Sequence, residues 1–132
     1  MNIKYLAFVL ITFIFSNYAY SKDTKSGMSL LAQCEKAIKV EKDETKSHYD
    51  YIEASACMSY IEGTIEGLDT FFEILKYKNF SLNRPFCFPK KFTWGQGIMI
   101  VVKYLKEHPK DLHLDKRYLV NIAFMNAFPC PK

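Results

Sequence analysis

The chain has 132 residues, with 18 basic against 14 acidic side chains and a formal net charge of +4. A balance that mild, without a block of five or more like charges, gives no electrostatic footprint for nucleic acid or for an anionic membrane surface. Nearly half of the residues are apolar and the four cysteines form an even set, which predicts one small domain whose modest core is supplemented by disulfides.

The first segment reads as an export signal. Lys4 supplies a positive start, Tyr5 to Phe15 is an uncharged apolar run, and Ala19-Tyr20-Ser21 places small residues where signal peptidase acts. The cut is expected after Ser21, leaving residues 22–132 as a single helical domain with a net charge of about +3, since one lysine and no acid are removed. A run of about eleven residues is too short for a retained anchor, which needs about 20. The string Leu31-Ala32-Gln33-Cys34 is set aside as a lipidation site, because Gln33 is a poor residue before such a cysteine and Lys22, Asp23 and Lys25 separate it from the apolar run. The mature protein is therefore expected in an oxidising compartment, free of the membrane.

Helical periodicity begins at Ser26, where Met28, Leu31, Cys34 and Ile38 recur at spacings of three and four, to about Val40. The charged stretch Glu41 to His48 follows without apolar period and reads as a solvated linker. Asp50 and Glu53 read as a capping pair for a second, longest helix, whose seam runs through Cys57, Ile61, Thr64, Leu68, Phe71 and Leu75. Gly63 and Gly67 each cost a helix about 1 kcal/mol, which predicts a packing notch where another backbone approaches. The segment Lys76 to Pro89 has no helical period and carries two prolines, so it is a long connection of the kind that often carries function. Thr93 and Gln96 form a capping box ahead of Ile98, Val101, Val102 and Leu105, and Pro109 ends that third helix. Leu119, Ile122, Ala123 and Asn126 mark a fourth helix over 115–127, stopped by Pro129. No segment alternates at period two for long enough to argue a sheet, so the fold class is all-α: four helices with long connections.

Four cysteines allow three pairings. If the first two helices are antiparallel neighbours, Cys34 meets Cys57; if the last two form an antiparallel hairpin, Cys87 meets Cys130. That pairing, with two disulfides, is the preferred one. A thiol nucleophile, Cys87 with His108 or His113 as base, is disfavoured by the even cysteine count in an oxidising compartment. His108, Asp111, His113 and Asp115 cluster near a helix junction but lack the spacing of an established metal motif. Paired acids for glycoside hydrolysis, a Gly-rich phosphate loop and a nucleophile elbow are missing. No enzymatic activity and no cofactor are expected.

Taken together, "LLAQC", "ACMSYIEGTIEG", "FCFPKKFTWGQGIMIVVKYLKEHPKDLH" and "LVNIAFMNAFPCPK" resemble the Rap/Tai family of small periplasmic immunity proteins linked to type VI secretion. The C-terminal half carries the most specific part, ending in "AFPCP". The resemblance implies a helical, disulfide-linked periplasmic protein, in many cases a homodimer, that binds and sterically blocks a cognate peptidoglycan amidase effector. Affinity in such a pair comes from a few aromatic or aliphatic anchors ringed by complementary charge. Tyr77, Phe80 and Arg84 on the long connection are the candidate partner-binding residues, with Lys76 and Lys78 as steering charges. A periplasmic stress or chaperone-like helical protein is the alternative from another class.

Overall fold

A computed structural model describes residues 24–131. The proposed signal at 1–21 lies outside those residues. Four α-helices follow in chain order: α1 Gly27–Glu41, α2 His48–Tyr77, α3 Trp94–Glu107 and α4 Lys116–Ala127, with a 3-10 turn at Pro109–Asp111 before α4. No strand forms among the described residues, in agreement with the all-α reading.

Three of the four helix starts are fixed by a side-chain oxygen accepting from a first-turn amide that has no partner within the helix. Ser26 Oγ accepts from the Ser29 amide, Thr93 Oγ1 from the Gln96 amide at 3.2 Å, and Asp115 Oδ1 from the Arg117 amide at 2.8 Å. The second helix departs from expectation. It starts at His48 behind Ser47, which makes no side-chain cap, and Asp50 is a buried member of its first turn. The Asp50 carboxylate accepts from Thr45 Oγ1 at 2.7 Å and pairs with Lys36 Nζ of α1 at 2.8 Å. Lys36, then Thr45, hold its carboxyl below the ordinary carboxylate range. A charge that looked local in sequence therefore ties the α1–α2 turn to α1.

α1 packs chiefly along the first half of α2 and also against α3, while α3 and α4 form the second pair. Leu30, Ile61, Val101, Leu105, Leu119 and Phe124 are sealed in the core between them. Gly27 lies at the tightest crossing: a Cβ there would come within 2.3 Å of Leu119 Cδ1 and 3.3 Å of the Leu112 backbone. The same point is closed by Gly27 N–H donating to the Leu114 carbonyl at 3.0 Å and Lys116 N–H to the Lys25 carbonyl at 2.8 Å. Gly63 and Gly67 behave oppositely. Nothing lies within 4 Å of a Cβ at either, so the expected notch is an open face of α2.

Both disulfides form in the preferred pairing, Cys34 with Cys57 and Cys87 with Cys130. The first staples α1 to α2 inside the core, where both cysteines are wholly inaccessible. The second joins the connection before α3 to the segment after α4, beside a Cys87 amide that donates to the Phe128 carbonyl at 2.9 Å. Around it Phe86, Phe88, Phe92, Phe124 and Phe128 form an aromatic cluster, with Phe88 stacked on Phe92 at 4.2 Å between centroids. The half of the long connection from Phe86 onward is thus pinned to the core by apolar burial and a covalent bond.

Candidate partner-binding arm

The thirty residues of α2 span about 45 Å, more than the rest of the bundle can cover. Its last fully buried side chain is Ile65, and Leu68 is the last to touch the core. Beyond that point the helix continues as an arm to Tyr77, and the chain folds back beside it as a strap before Phe86 re-enters the core.

The turn at the tip is set by Asn79, whose φ of 61° is the left-handed conformation that Asn tolerates better than most residues. The Phe80 amide donates to the Leu75 carbonyl at 2.9 Å and the Asn79 amide to the Lys76 carbonyl at 3.0 Å. This paired arrangement satisfies carbonyls that α2 would otherwise leave open and projects the Phe80 side chain from the tip. Five large apolar side chains stand exposed here: Phe71, Ile74, Tyr77, Phe80 and Leu82, with Tyr77 the most open at 82%. A shallow groove of about 420 Å³ runs between the end of α2 and the strap, lined by Phe72, Leu75, Phe80, Leu82 and Arg84 among others. Lys76 and Lys78 flank it, both exposed.

The structure brings Tyr77, Phe80 and Arg84 onto this one arm. Tyr77 is the last residue of α2 rather than part of the connection, and Phe80 follows the turn. Arg84 lies on the strap and faces α2, where its guanidinium meets the carboxylates of Asp69 and Glu73 and lies 5.6 Å from the Phe72 ring centre. The sequence pattern puts Phe71 on the apolar seam of the second helix, whereas it is half exposed, and it does not single out Ile74 or Leu82 as surface anchors. The available signal was the pair of doublets Phe71-Phe72 and Ile74-Leu75, which place apolar side chains around more of a helix than one core contact can bury.

A second open surface lies on the side of α2 that carries Gly63 and Gly67. There a depression of about 510 Å³ is bordered by Tyr60, Phe71, Arg117 and Asn121.

The residues considered for chemistry are each engaged locally. Cys87 is disulfide-bonded. His108 stacks on Tyr104 at 4.1 Å, with Nδ1 2.8 Å from the Tyr104 carbonyl, and His113 Nδ1 lies 3.0 Å from the Lys110 carbonyl. Asp115 caps α4 and is held at a pKa of about 2, first by the Arg117 guanidinium and then by the Arg117 amide. Among the described residues no group of three or more His, Cys, Asp or Glu is arranged to hold a metal ion, and no helix is long and apolar enough to cross a membrane.

The stapled helical body holds an apolar arm out to solvent, and exposed patches of this kind mark interaction surfaces on small proteins. The family model of the Rap1a immunity proteins matches residues 26–130, and the chain belongs to that family. No curated protein and no solved structure matches it. The family places the protein in an immunity role, in which binding a partner effector is the task.

Proposed function

We propose that the protein is exported through a signal cleaved after Ser21, works in the periplasm as one domain spanning 22–132, and neutralises a peptidoglycan amidase delivered by type VI secretion. In this reading it is an inhibitor rather than an enzyme. The arm enters the amidase cleft and excludes the peptide substrate by occupying its space. The observation that carries this reading is the exposed set Phe71, Ile74, Tyr77, Phe80 and Leu82 on a projecting helix end. An apolar patch of that kind on a small protein marks an interaction site, and a cluster of aromatic anchors is what concentrates binding energy. Tyr77 and Phe80 act as anchors, Arg84 completes the arm, and Lys76 and Lys78 speed encounter with an acidic rim.

The open glycine face of α2 suits a second copy of the chain, since helices with small residues at the contact can approach closely. Replacing Gly63 with Leu would then convert dimer to monomer in analytical ultracentrifugation, and an unchanged mass would remove this part of the proposal. Exposed apolar surface also suits the chaperone-like alternative. The two readings separate on stoichiometry: an inhibitor binds one amidase 1:1 or 2:2, whereas a chaperone suppresses aggregation of unrelated proteins. The direct experiment is calorimetry of the oxidised protein against the amidase-like product of a neighbouring gene, followed by a peptidoglycan cleavage assay. Nanomolar binding with loss of cleavage is the expected result; tight binding that leaves cleavage intact would remove the steric mechanism.

A further inference from the structure

We propose that Arg84 is a positioning residue that holds the arm in a preformed shape, and that its guanidinium is a clasp within the protein rather than an effector contact. Its part in recognition rests on the function proposed above; the clasp itself does not.

Apart from the Arg84 carbonyl, which lies 3.6 Å from the disulfide-bonded Cys130 Sγ, the strap has little else to hold it. Phe80 is tied at one end by the turn at Asn79, and Cys87 at the other by its disulfide and its amide bond to Phe128. Between them, the amides of Ser81, Leu82, Asn83, Arg84 and Phe86 find no backbone acceptor among the described residues, and Pro85 has none to offer. No side chain from Ser81 to Arg84 is buried. Leu82 is 61% exposed, so apolar burial does not order this stretch either. Across the gap, Arg84 Nη1 pairs with Asp69, Nη2 lies 3.4 Å from Glu73 Oε1, and the planar guanidinium covers Phe72. Asp69 and Glu73 are four apart, so both carboxylates fall on the strap side of α2 within reach of one fork. Pro85 restricts the backbone of Arg84 to extended conformations, which limits where that fork can point.

The charge count on the arm supports the same assignment. Arg84 offsets one of the two negative charges of Asp69 and Glu73, so that with Lys76 and Lys78 the arm carries three basic against two acidic groups. Loss of Arg84 would both release the strap and uncover two acids beside the groove. An arm that is ordered before encounter spends less on ordering when it binds, so the clasp acts through preorganisation.

Chymotrypsin cleavage after Phe80 and Leu82 reads the strap directly, because a protease needs a locally mobile segment. The experiment uses the oxidised protein and needs no partner. Arg84→Gln, and separately Asp69→Asn with Glu73→Gln, are expected to raise the cleavage rate at these bonds by about fivefold or more, with the urea midpoint of the whole protein unchanged. Arg84→Lys keeps the charge without the fork and falls between. Raising the salt to about 0.5 M should speed cleavage of the wild type and leave Arg84→Gln unaffected, since screening acts on exposed pairs. Equal cleavage of all variants would overturn the clasp, as would acceleration matched by an equal fall in the urea midpoint, which would mean that Arg84 supports the fold at large. Should the clasp hold while the wild type fails to bind an amidase, the functional reading fails alone.

Discussion

The body and the arm of this protein are made from the same kinds of residue and put them to opposite use. In the body, Ile61, Ile65 and Phe124 are buried among neighbours, and Cys34 and Cys57 fix the pairing of α1 with α2. In the arm, Phe71, Ile74 and Tyr77 are turned to solvent although they continue the same helix, and Phe80 beyond its end is exposed with them. Two conditions allow that difference: the body is stapled firmly enough to hold a helix end beyond its own core, and the arm needs only a turn and a strap to keep its shape. In the function proposed above, stability and recognition are divided between these regions, and a substitution in one should leave the other nearly untouched.

The largest test of that division is Phe124→Ala, which removes the ring that joins the core to the aromatic cluster. It should cost about 3–5 kcal/mol in denaturant unfolding, the usual result of emptying a filled aromatic site. Replacing Cys34 and Cys57 together with Ala should cost about 3 kcal/mol for a separation of 23 residues, provided chain entropy dominates. On the arm, Tyr77→Ala should weaken the proposed amidase complex by about 2 kcal/mol, roughly 30-fold in Kd, by calorimetry. Asp115→Asn probes a smaller term. The folded-state pKa of about 2 lies below the ordinary 3.8, so the carboxylate stabilises fully above pH 4 and that contribution is lost as pH falls toward 2. The stability gap between wild type and Asp115→Asn should therefore be open at pH 7, narrow below pH 4 and close as pH falls through about 2. The smallest effect is the most diagnostic: Tyr77→Ala and Phe80→Ala should each change unfolding free energy by no more than about 0.5 kcal/mol.

Much of the body was legible in the sequence because its rules are local. Thr93 announces a helix start through a side chain that accepts from an amide three residues on, apolar periodicity puts the other starts near Ser26 and Asp115, and Pro109 and Pro129 bound helix ends. The disulfide pairing followed from treating neighbouring helices as antiparallel. Asp50 misled because its partners, Lys36 and Thr45, are chosen by the packing of α1 on α2 and not by the helix it enters. The glycines misled for a similar reason: propensity says what Gly63 costs a helix, whereas only the crossing geometry reveals that Gly27, and not Gly63, has no room for a Cβ. On the arm, Tyr77, Phe80 and Arg84 could be selected as a group, but the facing of Arg84 toward Asp69 and Glu73 depends on the chain doubling back, which no local pattern encodes.

The measurement that tests the central claim most directly is amidase inhibition by the double variant Tyr77→Ser with Phe80→Ser, beside wild type and a Met28→Ser control on α1. The division of labour predicts that all three share one urea midpoint within error, that wild type and the control abolish peptidoglycan cleavage at equimolar ratio, and that the arm variant does not. Full inhibition by the arm variant would contradict it and place recognition on another surface.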